Sequence, residues 1–175
     1  MNTGQMLITI GAIFLLATVI LTVNKGLLSS NSVMINNRYD IISASLATSM
    51  IERATSKAFD EKSDTLGLKL TTELTQSNAL GLDAGESIND PNSFDDFDDY
   101  NCYKTTPKTD TLQLEGSGKQ IIFYTNCQVN YVTANNPETI TTGRTWHKRM
   151  IVKVYSSGIE DTVKLSTVYS YWYFR

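Results

Sequence analysis

Apolar residues recur along this chain in different rhythms, and each rhythm predicts a different kind of element. From Met6 to Val23 no residue is charged, and Leu7, Ile8, Ile10, Ile13, Leu15, Leu16, Val19, Ile20 and Leu21 surround a helix axis on every side. From Ile35 onward the pattern narrows. Ile35, Tyr39, Ile42, Leu46, Met50 and Ala54 return every three or four residues, with Asn36, Arg38, Asp40, Ser43, Ser45, Thr48, Glu52 and Arg53 between them. That is a single apolar stripe, wide enough to seat against a sheet. No proline interrupts Gln5 to Phe59, so one helix of roughly 80 Å is expected at ~1.5 Å per residue. Gly11 and Gly26 are its soft points, each costing about 1 kcal/mol relative to alanine. The alternative is an anchor, a break near residues 26–32, and a separate helix beyond it.

The C-terminal third alternates with period two instead. Residues 119–133 place Ile121, Phe123, Cys127, Val129 and Tyr131 on one face and Tyr124, Asn126, Gln128 and Asn130 on the other. Trp146, Met150, Val152 and Val154 repeat the pattern, and residues 163–174 supply a last strand ending in Tyr169, Tyr171, Trp172, Tyr173 and Phe174. Gly116-Ser117-Gly118, Asn135-Asn136-Pro137 and Ser156-Ser157-Gly158 separate these runs. With residues 111–115 in front, an antiparallel meander of about four strands follows. The fold class is α+β, a long N-terminal helix packed on a C-terminal sheet, since one sheet face must be covered and the helical stripe can cover it. The expected divisions are 1–4, 5–27 (apolar helix), 28–59 (amphipathic helix), 60–110 (irregular and acidic) and 111–175 (sheet).

Composition adds three limits. A net charge of −3 over 175 residues gives no basic surface for nucleic acid. The apolar run is just long enough to cross a bilayer, and it lacks the basic start and small-residue cleavage site of a secretory signal. Lys25 and Arg38 lean weakly towards the cytoplasm. Cys102 and Cys127, the only cysteines, lean the other way. They fit one disulfide closing a loop of about 25 residues, for which chain entropy gives ~3 kcal/mol; two unrelated buried thiols are the alternative.

Candidate chemistry is sparse. Asp83, Glu86, Asp90, Asp95, Asp96, Asp98 and Asp99 set seven carboxylates within 17 residues. Calcium takes six to eight oxygens from such runs, and Asp95, Asp96, Asp98 and Asp99 are its candidate ligands here. The spacing is not that of an EF-hand loop, so a solvated acidic loop is the simpler expectation, with no other cofactor. Arg144, Lys148 and Arg149 are available for exposed ion pairs contributing roughly 0–1 kcal/mol each. His147, the only histidine, is expected on the polar face of its strand with Arg149 and Lys153. No nucleophile elbow, phosphate-binding loop or zinc motif is present, so an enzyme is not expected.

The first residues carry a more specific signal. A short leader ends at Gly4, and a chain cut there would begin Gln5-Met6-Leu7-Ile8-Thr9, directly entering the apolar span. Together with the all-apolar then striped helix and the cysteine-bearing β-meander, this resembles a type IV pilin or pseudopilin. The resemblance covers the architecture of the whole chain, and its specific part lies in about the first 30 residues. It implies cleavage between Gly4 and Gln5 by a prepilin peptidase, residence in the inner membrane, and extraction by assembly machinery into an extracellular helical homo-oligomer. Packed helices would then bring Gly11 and Phe14 of many copies together, with Gly26 as the counterpart of the family's helix-weakening residue. Two features depart from the family pattern: Asn2-Thr3 offers no basic residue, and Thr9 stands where a glutamate usually docks a neighbour's amino terminus. A hydroxyl can hydrogen-bond an amine but cannot neutralise it.

The sequence therefore sets a filament subunit against an N-terminally anchored protein whose small, calcium-binding head never polymerises. An extracytoplasmic hydrolase is a distant third.

Overall fold

The computed structural model describes residues 2–65, 67–113, 120–156 and 161–171. Leu66, the Gly116-Ser117-Gly118 and Ser157-Gly158 turns, and the terminal Trp172, Tyr173 and Phe174 lie outside the described residues. The chain forms two compact units, Met1–Tyr39 and Asp40–Arg175. The first is helix throughout its described residues from Thr3 on, and every side chain from Gln5 to Val23 is exposed. Helix α1, Thr3–Thr55, carries no break at Gly26, where a methyl group would meet nothing within 4 Å. Hydroxyls close its last turn: Thr55 Oγ1 donates to the Ile51 carbonyl (2.9 Å) and Ser56 Oγ to the Arg53 carbonyl (2.7 Å). The helix thus stops four residues short of the expected boundary at 59.

Within the second unit, α1 buries Ser43, Ala47, Met50 and Ala54, while Ile42 and Leu46 are only half-buried. The covered face therefore matches the hydrophobic stripe at Met50 and Ala54 and departs from it by one residue at Ser43 and Ala47. Small residues lie at its centre because they let the backbone come close, and the larger aliphatics flank it. Met50 lines a small cleft with Tyr100, Tyr103 and Thr125.

The sheet is antiparallel in the order β1-β2-β4-β5, with β1 Lys108–Gln113, β2 Gln120–Thr133, β4 His147–Ser156 and β5 Val163–Ser170. An extra short strand, β3 Asn136–Ile140, pairs with the end of β2 across an irregularity at Val132/Thr133. Asn135-Asn136-Pro137 predicts a separator here, and all five residues of β3 are exposed, so no buried face produces a period-two pattern there. Register stacks the core in rows across β2, β4 and β5: Tyr131, Lys148 and Tyr169, then Val129, Met150 and Thr167, then Cys127, Val152 and Leu165. On the opposite face Tyr124 and Tyr155 stack at 5.4 Å.

Between α1 and β1 lie a short helix α2, Glu61–Thr65, and two 3₁₀ segments, Thr71–Glu73 and Asp99–Lys104. The second packs on β2: the Asn126 amide donates to the Tyr103 carbonyl at 2.8 Å, and Val129 N–H donates to Asn101 Oδ1 at 3.0 Å.

If the Ala47 face is a close-approach surface, Ala47→Leu should destabilise the protein by about 1–3 kcal/mol through overpacking. Thr48→Leu, one position along on an exposed site, should stay within about 0.5 kcal/mol. Denaturant melts of the detergent-solubilised chain would compare them.

Candidate functional site

Phe94, Phe97, Tyr100 and Tyr103 recur every third residue through the acidic run, and none is more than 3% exposed. Phe94 meets Tyr100 and Tyr103 edge-on or tilted at 5.2 and 5.9 Å, and Phe97 meets Tyr169 at 5.0 Å. Burying an aromatic ring contributes roughly 1.5–3 kcal/mol, and these four draw the aspartates between them out of water. The acidic segment is therefore not a solvated loop: Asp96, Asp98 and Asp99 are fully buried, while Asp83, Asp90 and Asp95 stay exposed. It is stitched to the chain leaving α1, where Ala58 N–H donates to the Asp95 carbonyl (3.1 Å) and Phe97 N–H to the Ala58 carbonyl (2.9 Å).

Lys148 projects into this layer from the centre of the sheet. Its side chain is wholly buried, as are those of Asp60 and, within 1%, Asp98. The ammonium donates to the Phe59 carbonyl at 2.6 Å, to Asp60 Oδ2 at 3.0 Å and to Asp98 Oδ1. It also lies 4.7 Å from the Phe59 ring centre and 5.5 Å from that of Tyr131, within cation–π range. The expectation of exposed, weak pairs for Lys148 is overturned. Its position on the even-numbered side of β4, with Met150, Val152 and Val154, places it inward, and only buried partners can satisfy it there. Arg149 points the other way, donating to Glu138 Oε2 at 2.6 Å. Arg144 reaches the Thr72 carbonyl. His147 is half-buried, its Nδ1 2.7 Å from Ser170 Oγ.

Asp60 is held by more than the lysine. Thr75 donates to it from N–H (3.0 Å to Oδ2) and from its hydroxyl (3.1 Å to Oδ1), and the Tyr131 hydroxyl lies 3.4 Å from Oδ2. Burial alone would raise the Asp60 carboxyl, but the Lys148 charge and these hydrogen bonds outweigh it and leave it below the ordinary range. For Asp98, burial wins over the lysine and pushes the carboxyl up. Burial opposes the Lys148 ammonium, yet Asp98, Asp60 and Asp96 together hold it charged.

The sequence grouped Asp95, Asp96, Asp98 and Asp99 as one candidate set, and the structure divides them. Asp98 belongs to Lys148. Asp96 and Asp99 turn instead towards Asp83, and Asp99 also towards Glu86 and Asp95, with one oxygen from each member of either trio within 4.8 Å of the others. A tight turn brings Asp83 and Glu86 together: Gly85 sits at φ 107°, and Asp83 N–H donates to Glu86 Oε2 at 2.7 Å. Asp96 Oδ1 accepts from the Asp98 and Asp99 N–H groups, and Asp99 Oδ2 from those of Asp95 and Asp96. Burial, then the Asp98 charge, pushes the Asp96 carboxyl up to about 9, and burial with neighbouring Glu86 pushes Asp99 to about 8. The signals that sequence reading missed are the three-residue aromatic spacing and the parity of Lys148 within its strand.

Cys102 and Cys127 are both free thiols, so the expected disulfide is absent. Cys127 is fully buried on the inner face of β2 and Cys102 half-buried on the 3₁₀ segment. Burial, followed by Asp99 and Glu86, pushes the Cys102 thiol up to about 12, and burial raises Cys127 as well. Disulfide formation proceeds through a thiolate, which both sites disfavour. At the N-terminus, Gly4 and Gln5 lie in the first turns of α1, and Gly4, Gly11 and Gly26 all face open space. Phe14 is exposed. The Thr9 hydroxyl lies 2.9 Å from both the Gln5 and Met6 carbonyls of its own helix.

Two outcomes check this site. Lys148→Met, which strands two buried carboxylates, should cost about 3–5 kcal/mol, and adding Asp60→Asn with Asp98→Asn should recover most of it. Denatured without reductant, the protein should take up two alkyl groups by mass; an uptake of none, restored to two by reductant, would show a bonded pair. No family model, curated protein or solved structure matches the chain.

Proposed function

We propose that this chain is the structural subunit of a type IV pilus-like extracellular filament, held in the inner membrane until cleavage between Gly4 and Gln5 and then assembled through its N-terminal helix. One observation carries the reading. The helix from Met6 to Val23 is apolar all round and has none of its side chains covered by the rest of the chain. Such a surface needs lipid or other apolar helices around it, and a bundle of identical copies provides the second environment after the first is left. Exposed Gly11 and the open space at Gly26 suit close packing of neighbouring helices. Prepilin peptidase and inner-membrane assembly machinery are the partners implied.

A second reading is favoured by Thr9. Its hydroxyl proton is committed to its own helix, so it offers an amino terminus only a neutral acceptor oxygen and no charge to pair with it. A chain without that docking contact would remain an anchored monomer whose head works at the membrane surface.

Mass analysis of the mature N-terminus in sheared and cell-bound fractions separates these. A sheared polypeptide beginning at Gln5 is expected, with Gly4→Leu blocking both cleavage and shedding. Because a side chain at position 4 meets nothing within 4 Å, that block would reflect the peptidase and not misfolding. An uncut chain confined to the membrane fraction would support the anchored monomer.

A further inference from the structure

Four aspartates, Asp60, Asp96, Asp98 and Asp99, are fully buried in the head, and Lys148 is the ammonium that meets two of them. Asp96 and Asp99 receive no such partner. Among the described residues no lysine or arginine forms an ion pair with Asp83, Glu86, Asp95, Asp96 or Asp99. Two oxygens sharpen the point. Asp96 Oδ2 and Asp99 Oδ1 are both buried and receive no N–H or hydroxyl donor, although the second oxygen of each residue accepts from two backbone N–H groups. A buried carboxylate oxygen without a donor costs about 1–3 kcal/mol or more, so two in contact-range carboxylates mark a place where a positive partner belongs.

We infer that the head binds one calcium ion at Asp99, with Asp96 and Asp99 as the buried ligands and Asp83, Glu86 and Asp95 completing the shell from the solvent side. Asp99 is common to both groups of converging oxygens, which makes it the pivot. The donor set is all carboxylate, with no histidine or thiol in either group, and hard oxygen donors select calcium or magnesium over zinc, copper or iron. Between the two, calcium fits better. It accepts six to eight oxygens in irregular arrangements, whereas magnesium requires a near-ideal octahedron and keeps most of its waters. The site also has a way in, since Asp83 and Asp95 are exposed while Asp96 and Asp99 are not. Asp98 belongs to neither group of converging oxygens: its Oδ1 accepts from Lys148, and its buried Oδ2 also lacks a donor but lies outside them. The inference holds whether the chain polymerises or remains anchored.

Full-length protein in detergent, stripped with EGTA, would be titrated with CaCl₂ by calorimetry and melted with and without the ion. One saturating site per chain is expected, with a rise in Tm of about 5–10 °C at saturation. Asp83→Asn should weaken binding about tenfold or more by removing a charged ligand, without moving the metal-free Tm, because Asp83 is exposed. Asp99→Asn should abolish binding, and its metal-free form should melt at or above the wild type because one repelling carboxylate is gone. Absence of any heat or Tm shift at millimolar calcium would overturn the site, as would wild-type affinity in both variants. An equal response to MgCl₂ would overturn calcium as the ion.

Discussion

A single ammonium group, carried on the middle of a β-strand, has to be kept charged in the dry interior of the head. Taking such an ion out of water costs several kcal/mol even after relaxation, and no lone contact offsets that. Lys148 is therefore met from separate parts of the chain: Phe59 and Asp60, just beyond α1, and Asp98 in the acidic segment. Asp60 is in turn fixed by Thr75 and Tyr131. Strand β4 cannot satisfy its lysine unless the helix exit and the acidic segment have both arrived, so one buried charge couples three regions that are distant in sequence. The aromatic rows around it, Tyr131 and Tyr169 across the sheet and Phe59 and Phe97 above it, supply the hydrophobic gain against which that desolvation is set.

The same burial that suits Asp98 leaves its neighbours exposed to one another's charge. A chain that submerges Asp96, Asp98 and Asp99 together takes three like charges into low dielectric, and Lys148 answers chiefly one of them. Two responses are open to carboxyls in that position, protonation or a cation. The raised Asp96 and Asp99 carboxyls are the first response, and the ligand set around Asp99 is suited to the second. Sequence composition alone cannot distinguish this from a solvated loop, because seven acids in a row of 17 residues read the same way in either case. What distinguishes them is the aromatic residue at every third position.

Legibility followed burial geometry. The helix and the long strands were readable because one periodic face of each is in contact with apolar surroundings, and the boundaries of β2 and β5 fall within a residue of their patterns at the N-terminal end. Strand β3 was unreadable because neither of its faces is buried. On α1 the stripe holds at Tyr39, Met50 and Ala54, but between them burial falls on Ser43 and Ala47 instead of Ile42 and Leu46, because a tight helix contact favours small side chains that hydrophobicity does not mark. Lys148 was the larger miss. Its strand parity with Met150, Val152 and Val154 put it on the core side, and residue type was given more weight than position. Number and spacing of the cysteines suggest a pair, yet they carry no information on the burial that Cys102 and Cys127 meet as free thiols.

The two units answer to different solvents, and this constrains any assembly that the helix can make. An apolar surface that is uniform around its axis attracts without direction, since hydrophobic burial scales with area and carries no angular preference. Register between copies must then come from groups that are directional. In the apolar run those are few: the Thr9, Thr18 and Thr22 hydroxyls all donate to carbonyls within their own helix, and Lys25 is the first charge after the run. Small-residue gaps at Gly11 and Gly26 set how closely helices can approach, but they do not set how far one slides along another. On the filament reading, axial register would therefore fall to the polar heads, where charge and shape vary from residue to residue. A rigid head is what such a division of labour requires, and the Lys148 network is placed to provide it.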